Sequence, residues 1–303
     1  SDFDDGTANA PITVAAEHER RSVLVADGAD PALFVDHCSH WRFDGLRARN
    51  RDGDADSGGK VAYVDDSSNI RFYDLLLRRP NREQNVAAFR IEDSEAIRVV
   101  GPAVYSFHEE AIVLTDSEDV EVRRAYLHSR SLDDTRPDAG WTDDDDRGDE
   151  GIGLDKVDHV RILDTVVEDV DVAVEMRAEG SSDKDDISVS DQNLFRGLMV
   201  RDVGTGFIFD SEASHCSSPD DSDCSLENNR IRDSVVLDSK KAFRIDGGIE
   251  NSIAASTAHN ASKRAFSLGP GDSNDNDAYP PSKNLTVTRS LAFGSGSTGF
   301  YVD

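Results

Sequence analysis

Lys241-Ala242-Phe243-Arg244-Ile245-Asp246 carries, in its last five residues, a pattern that recurs along the chain: small residue, apolar, any residue, apolar, carboxylate. It returns at Ala32 to Asp36, Val61 to Asp65, Ala88 to Glu92, Gly151 to Asp155, Asp171 to Glu175, Gly206 to Asp210 and Gly299 to Asp303. Ala111 to Thr115 and Ala265 to Gly269 keep the apolar pair and lose the acid, which makes ten copies. Counted from the first apolar residue, the steps are 29, 27, 23, 40, 20, 35, 36, 23 and 34 residues. A strand-like unit returning every 20 to 50 residues is the mark of a solenoid.

Most copies have a second alternating segment downstream. Asn69 to Phe72, Ala96 to Val99, Asp119 to Val122, His159 to Ile162 and Asn284 to Val287 alternate apolar with polar, whereas no 3.6-residue stripe is sustained anywhere. Each unit therefore reads as strand, tight turn, strand and a looser return. The fold predicted is all-β: a single-stranded right-handed parallel β-helix of about ten rungs, one domain over residues 1–303, with polar insertions at 130–149, 178–190, 211–225 and 270–283. The last three follow the first strand of their units and should rise from one corner as a wall. They read equally as solvated insertions of a salt-adapted protein.

Gly6 to Ala16 followed by Trp41 to Leu46 is similar to the first rungs of extracellular polysaccharide lyases, and the repeat as a whole resembles the pectate-lyase-like β-helix superfamily. That resemblance implies a carbohydrate-active protein, but the fold also carries hydrolases, viral tail spikes and inert surface proteins.

Composition narrows the setting. The chain has 33 basic and 61 acidic residues, a net charge of −28, with 26 Arg against 7 Lys and 45 Asp against 16 Glu. An Asp-rich, Lys-poor surface keeps a protein hydrated in molar salt, so a halophile, archaeal in character, is expected. The acidity argues against nucleic-acid binding, which wants a basic face. No apolar run reaches the ~20 residues of a membrane span. The absence of an N-terminal signal segment, and ends that fall inside rungs, lead to the expectation of a trimmed part of a longer secreted protein. The expected location is extracellular or at the cell surface, with self-assembly through solenoid ends or faces open to it.

Period-2 geometry places the two apolar residues of each first strand inward and the acid outward. Asp155, Glu175, Asp210 and Asp246 then form a ladder on successive rungs ~4.8 Å apart, which would either take calcium, helped by Glu150 or Glu212, or accept backbone N–H groups at turns. Beside it stand Lys241, Arg244, Lys156 and Arg177. Elimination on a uronic-acid polymer needs the sugar carboxylate neutralised by calcium or Arg and a Lys or Arg to take the C5 proton, so this set is the candidate catalytic group. A two-carboxylate hydrolase is the alternative, using Asp210 with Asp246 or Glu175 with Asp210. The other alternative is a non-catalytic surface, filament, spike or adhesion protein that meets a cell-surface glycan.

Smaller signals complete the reading. Asp52, Asp54 and Asp56 alternate as in a calcium loop without the closing Glu of an EF-hand. Cys216 and Cys224 could close a disulfide within a polar insertion, leaving Cys38 over. Asn260 and Asn284 open N-glycosylation sequons. The histidines are not spaced for zinc, and there is no phosphate loop or nucleophile elbow.

Overall fold

The computed structural model describes residues 5–18, 21–26, 30–50, 60–78, 87–107, 109–129, 148–178, 190–211, 226–269 and 282–302. Among them there is no helix, so none is long and apolar enough to cross a membrane. The chain forms two compact units, the first of residues 1–152 and 165–171, the second of residues 153–164 and 172–303.

In the first unit, Leu33–Asp36, Ala62–Asp65 and Phe89–Glu92 stack in parallel with the strand Glu110–Glu118, in the register Leu33, Ala62, Phe89, Ile112. A second sheet stacks Ile12–Ala15, Trp41–Asp44, Arg71–Tyr73, Arg98–Val100 and Glu121–Arg123. The return of each coil, expected as loose, is a third strand. Val23–Ala26, Arg47–Asn50, Leu76–Arg78, Ala103–Tyr105, Tyr126–His128 and Val166–Glu168 pair in parallel. These strands escaped a periodicity reading because most are three residues long, too short to show alternation around a buried centre such as Leu77, Val104 or Leu127. The insertion near 130 consequently follows a third strand and not a second one.

The second unit repeats the plan. Its first sheet stacks the strands Val170–Ala178, Met199–Ser211, Val235–Asp246, Arg264–Leu268 and Thr298–Val302, and its second stacks Arg161–Leu163, Leu194–Arg196, Arg230–Arg232, Ser252–Ala254 and Thr286–Thr288. Met199–Ser211 and Val235–Asp246 run through the third sheet into the first without a break, turning at Asp202 and Asp238, which take positive φ.

Corners explain part of the Asp excess. Of the 25 non-glycine residues with positive φ among the described residues, ten are Asp and four Asn, the side chains that tolerate the left-handed region best. Inside the corners, short polar side chains bond successive coils. In the second unit the Oδ1 atoms of Asn193, Asn229 and Asn251 accept from the N–H of Val160, Asn193 and Asn229 at 2.7, 3.0 and 3.0 Å. Their Nδ2 groups donate to the carbonyls of Val157, Ser190 and Leu226. Gly248 is required beside this column: at φ 93° a Cβ there would stand 2.6 Å from the Leu226 oxygen. In the first unit Ser67, Ser94 and Ser117 do the same work at another corner.

The core consists of stacked columns. Phe207, Phe243, Phe266 and Phe300 lie ring on ring with centroids 5.2, 4.9 and 4.6 Å apart. The first three are fully buried, as expected from their place in the repeat, whereas Phe300 is 49% exposed.

Candidate functional site

The first sheet of the second unit gathers most of the sequence-derived candidates, because residues between its inward side chains share one outward face. The register aligns Thr205, Lys241, Arg264 and Thr298 in one row, and Ile208, Arg244, Ser267 and Tyr301 in the next. Asp210 pairs with Asp246.

The sixth repeat departs from expectation. Val174 and Met176 align with Phe207 and Phe209, so the inward pair is Val174 and Met176 where Val172 and Val174 were expected. Every outward residue of that strand moves by two positions. Glu175 sits opposite Ile208, and Arg177, not Glu175, stands opposite Asp210. The four-carboxylate ladder is thus broken by a cation. Arg177 donates to Glu175 at 2.7 Å, so two residues assigned to different roles form one ion pair. Among the described residues no group of three or more His, Cys, Asp or Glu side chains comes together to hold a metal ion. Asp155, Glu175, Asp210 and Asp246 thus do not make the continuous ladder expected, and no step below passes through a metal.

Asp246 lies on the side of Arg244, as alternation expects, but is covered there: it is 1% exposed. Arg244 lies against it as an ion pair on the same strand. Burial pushes the Asp246 carboxyl up to about 6, Arg244 and Lys241 work against that rise, and Asp210 in the next coil adds to it. Asp210 and Arg244 are half-buried. Together they set two carboxylates, of which Asp246 keeps its proton up to about pH 6, beside a guanidinium. Such a set can bind an anionic group and exchange a proton with what is bound.

The sequence offered Tyr301 as an aromatic for sugar binding but missed Arg264 as part of this face. Arg264 lies over the Tyr301 ring at 4.0 Å and reaches the Ser267 hydroxyl. The register alone reveals this, since the two residues are 37 apart in the chain. Lys156 is half-buried at a corner with φ 52°, on the strand that carries Asp155, and has partners of its own.

The first unit presents a different set on its first sheet. Phe34 stacks on Tyr63 with centroids 5.3 Å apart, Lys60 lies over the Tyr63 ring, and the Tyr63 hydroxyl donates to Glu92, which Arg90 also pairs. Burial and Glu92 drive the Tyr63 pKa up. At the adjacent corner a depression of about 550 Å³ is lined by His37, Asp65, Asp66, Asp93 and Asp116. Hydrogen bonding to Asp36 raises the His37 pKa, and burial with Asp116 raises that of Asp93.

Other candidates separate cleanly. Asp52, Asp54, Asp56, Glu212, Cys216 and Cys224 lie outside the described residues, as do most of the four insertions. Ala178 and Ser211 pair in register, so the insertions that follow them leave from equivalent points of one corner. Asn260 and Asn284 are both exposed at positive φ, and the Asn260 amide donates to Asp238. Cys38 is a half-buried thiol whose pKa burial raises.

No family model matches the chain, and no curated protein does at a significant level. Solved structures do. A polygalacturonase from Erwinia carotovora ssp. carotovora superposes with a TM-score of 0.62 at 10% identity, over 96% of this chain and 81% of that one. The catalytic domain of a GH87 α-1,3-glucanase in complex with nigerose gives 0.55 at 10% identity, over 96% of this chain. The chain spans 59% of that glucanase domain. At such identities the likeness is one of backbone, and it shows that the chain has the right-handed parallel β-helix fold.

Proposed function

We propose that the protein is a secreted or cell-surface enzyme that cleaves an acidic polysaccharide at the first-sheet face of its second unit. The observation that carries this reading is Asp246: a carboxylate held 1% exposed, with its pKa pushed to about 6, next to a second carboxylate and a cation. A buried acid of this kind weakens the fold at neutral pH, and such costs concentrate at working sites. Arg244 takes the anionic group of the sugar, fixed in place by Asp246. Asp210, the more exposed carboxylate, meets the glycosidic bond. The Asp210–Asp246 pair shares one proton, and the productive state is the one with that proton in place. Asp246 itself is a positioning residue. Hydrolysis, with Asp210 passing that proton to the leaving glycosidic oxygen as water adds to the sugar carbon, is the chemistry this set supports best. The names of the fold neighbours, a polygalacturonase and a glucanase, agree with it.

Elimination is a second reading, favoured by Lys241 and Arg264, which stand side by side in register on the same face. Two readouts over a panel of uronate polymers in concentrated salt separate them: new reducing ends, and the ultraviolet absorbance of an unsaturated product. Reducing ends without that absorbance, insensitive to chelator and lost in Asp210→Asn, are the expected result. Absorbance that rises and is lost in Lys241→Ala would move the assignment to elimination, and a chelator that stopped it would restore calcium. No product from any polymer would point to the non-catalytic surface role. For the hydrolase, kcat/KM should fall as pH rises through about 6, where the pair gives up its proton. A flat profile between pH 5 and 8 would remove the pair from the reaction.

A further inference from the structure

The second sheet reverses the sign of the molecule. The outward columns of its strands in the first unit run Thr13, Arg42, Arg71, Arg98, Glu121 and, beside them, Ala15, Asp44, Tyr73, Val100, Arg123. Four Arg against two acids occupy these positions in a chain whose acids outnumber its bases 61 to 33. Arg42, Arg71 and Arg98 are in direct register on three consecutive coils. Adjacent strands put them ~4.8 Å apart, where like charges destabilise a sheet. Of the three, Arg42 alone is ion-paired: among the described residues Arg71 and Arg98, both exposed, make no ion pair, although Glu121 stands in register beside Arg98. Arg42 is oriented by Asp44 at 2.6 Å and rests over the Tyr73 ring at 4.6 Å.

We propose that this face of the first unit binds a linear acidic polysaccharide laid across the coils, with successive anionic groups taken by Arg42, Arg71 and Arg98. A guanidinium forks to a carboxylate or sulfate with two parallel hydrogen bonds, so contacts of this type survive salt that screens longer-range attraction. The chain is acidic overall, so most of its surface repels a polyanion while this face has the favourable sign; Arg161, Arg196, Arg230 and Arg232 give the second sheet of the second unit the same sign without a three-Arg row in direct register. A stiff polymer that bears its charges at a regular spacing matches a stiff row with little ordering cost. Single-stranded nucleic acid fits poorly, because the face offers its bases no exposed aromatic platform, and an acidic protein would find no apolar centre to anchor on.

The proposal stands apart from the cleavage reading, since binding is measured here without turnover and at another sheet. The test is calorimetric titration of the full chain with polygalacturonate across a salt series, beside uncharged dextran and a single-stranded oligonucleotide. Wild type should bind the uronate and not the dextran. R71Q/R98Q should weaken binding by about tenfold or more, the change that one lost charge-assisted contact produces. R71K/R98K, which keeps the charge and loses the fork, should fall between the two, and neither variant should melt below wild type. Equal uronate affinity in R71Q/R98Q and wild type overturns the proposal. So does a wild type that ignores uronate, or one that prefers the oligonucleotide.

Discussion

Asp246 shows what a single position can carry. Its folded pKa lies near 6 against about 3.9 for a free Asp, so the native state holds its proton more tightly than the unfolded state does. Stability is therefore highest below the unfolded value and is lost as pH rises toward about 6. At pH 7 the full penalty is present, on the order of 2–3 kcal/mol. Asp246→Asn should remove it, stabilising the fold at pH 7 by that order while abolishing cleavage, and the two proteins should converge near pH 4. Denaturant titrations at the two pH values check this; a variant less stable than wild type at pH 7 would mean that the acid is there to hold Arg244. Asn229 makes the opposite case. Its side chain serves the Asn193 N–H and the Ser190 carbonyl, both buried, so Asn229→Ala leaves two groups unsatisfied and should cost ~2–4 kcal/mol, read as a lower denaturant midpoint. The acidity of Asp246 could be read in the chain; its burial could not, because the alternation rule that sends an acid outward says nothing of a corner that folds over it.

Individual strands were legible wherever two apolar residues flanked one polar residue. Leu33–Asp36, Ala62–Asp65, Phe89–Glu92 and Phe243 to Asp246 stand where the pattern puts them. The run from Val170 to Met176 offered two phases, and the pairing chose Val174 and Met176 because a longer side chain fills the space beside Phe207 and Phe209. A slip of two keeps the same faces inward, so local alternation cannot detect it. Strength in this element comes from stacking. Phe243 lies between Phe207 and Phe266, and Phe243→Ala should cost ~3–5 kcal/mol, since neither ring can collapse into the gap without leaving its own coil. Urea denaturation measures it, and a loss under 1 kcal/mol would show that the column relaxes.

Charge acts on the chain as a whole. At −28, repulsion among acids opposes folding when the Debye length is long, ~30 Å at 0.01 M, and fades at ~3 Å in 1 M salt. The unfolding midpoint should rise steadily between those concentrations with the m-value little changed; a midpoint insensitive to salt would remove the halophile reading. Composition, repeat and period were enough to determine an all-β parallel solenoid, because each coil buries its apolar residues only by stacking on the next and the sequence writes that need once per turn. They also determined which residue types were available for chemistry. Register was a matter for the tertiary structure: it separated Glu175 from Asp210, put Arg264 beside Lys241, and lined up Arg42, Arg71 and Arg98. The physical reason is that neighbours across coils lie 23 to 36 residues apart in these pairings, joined by turns whose lengths vary, and only the packing of whole strands decides which of them meet.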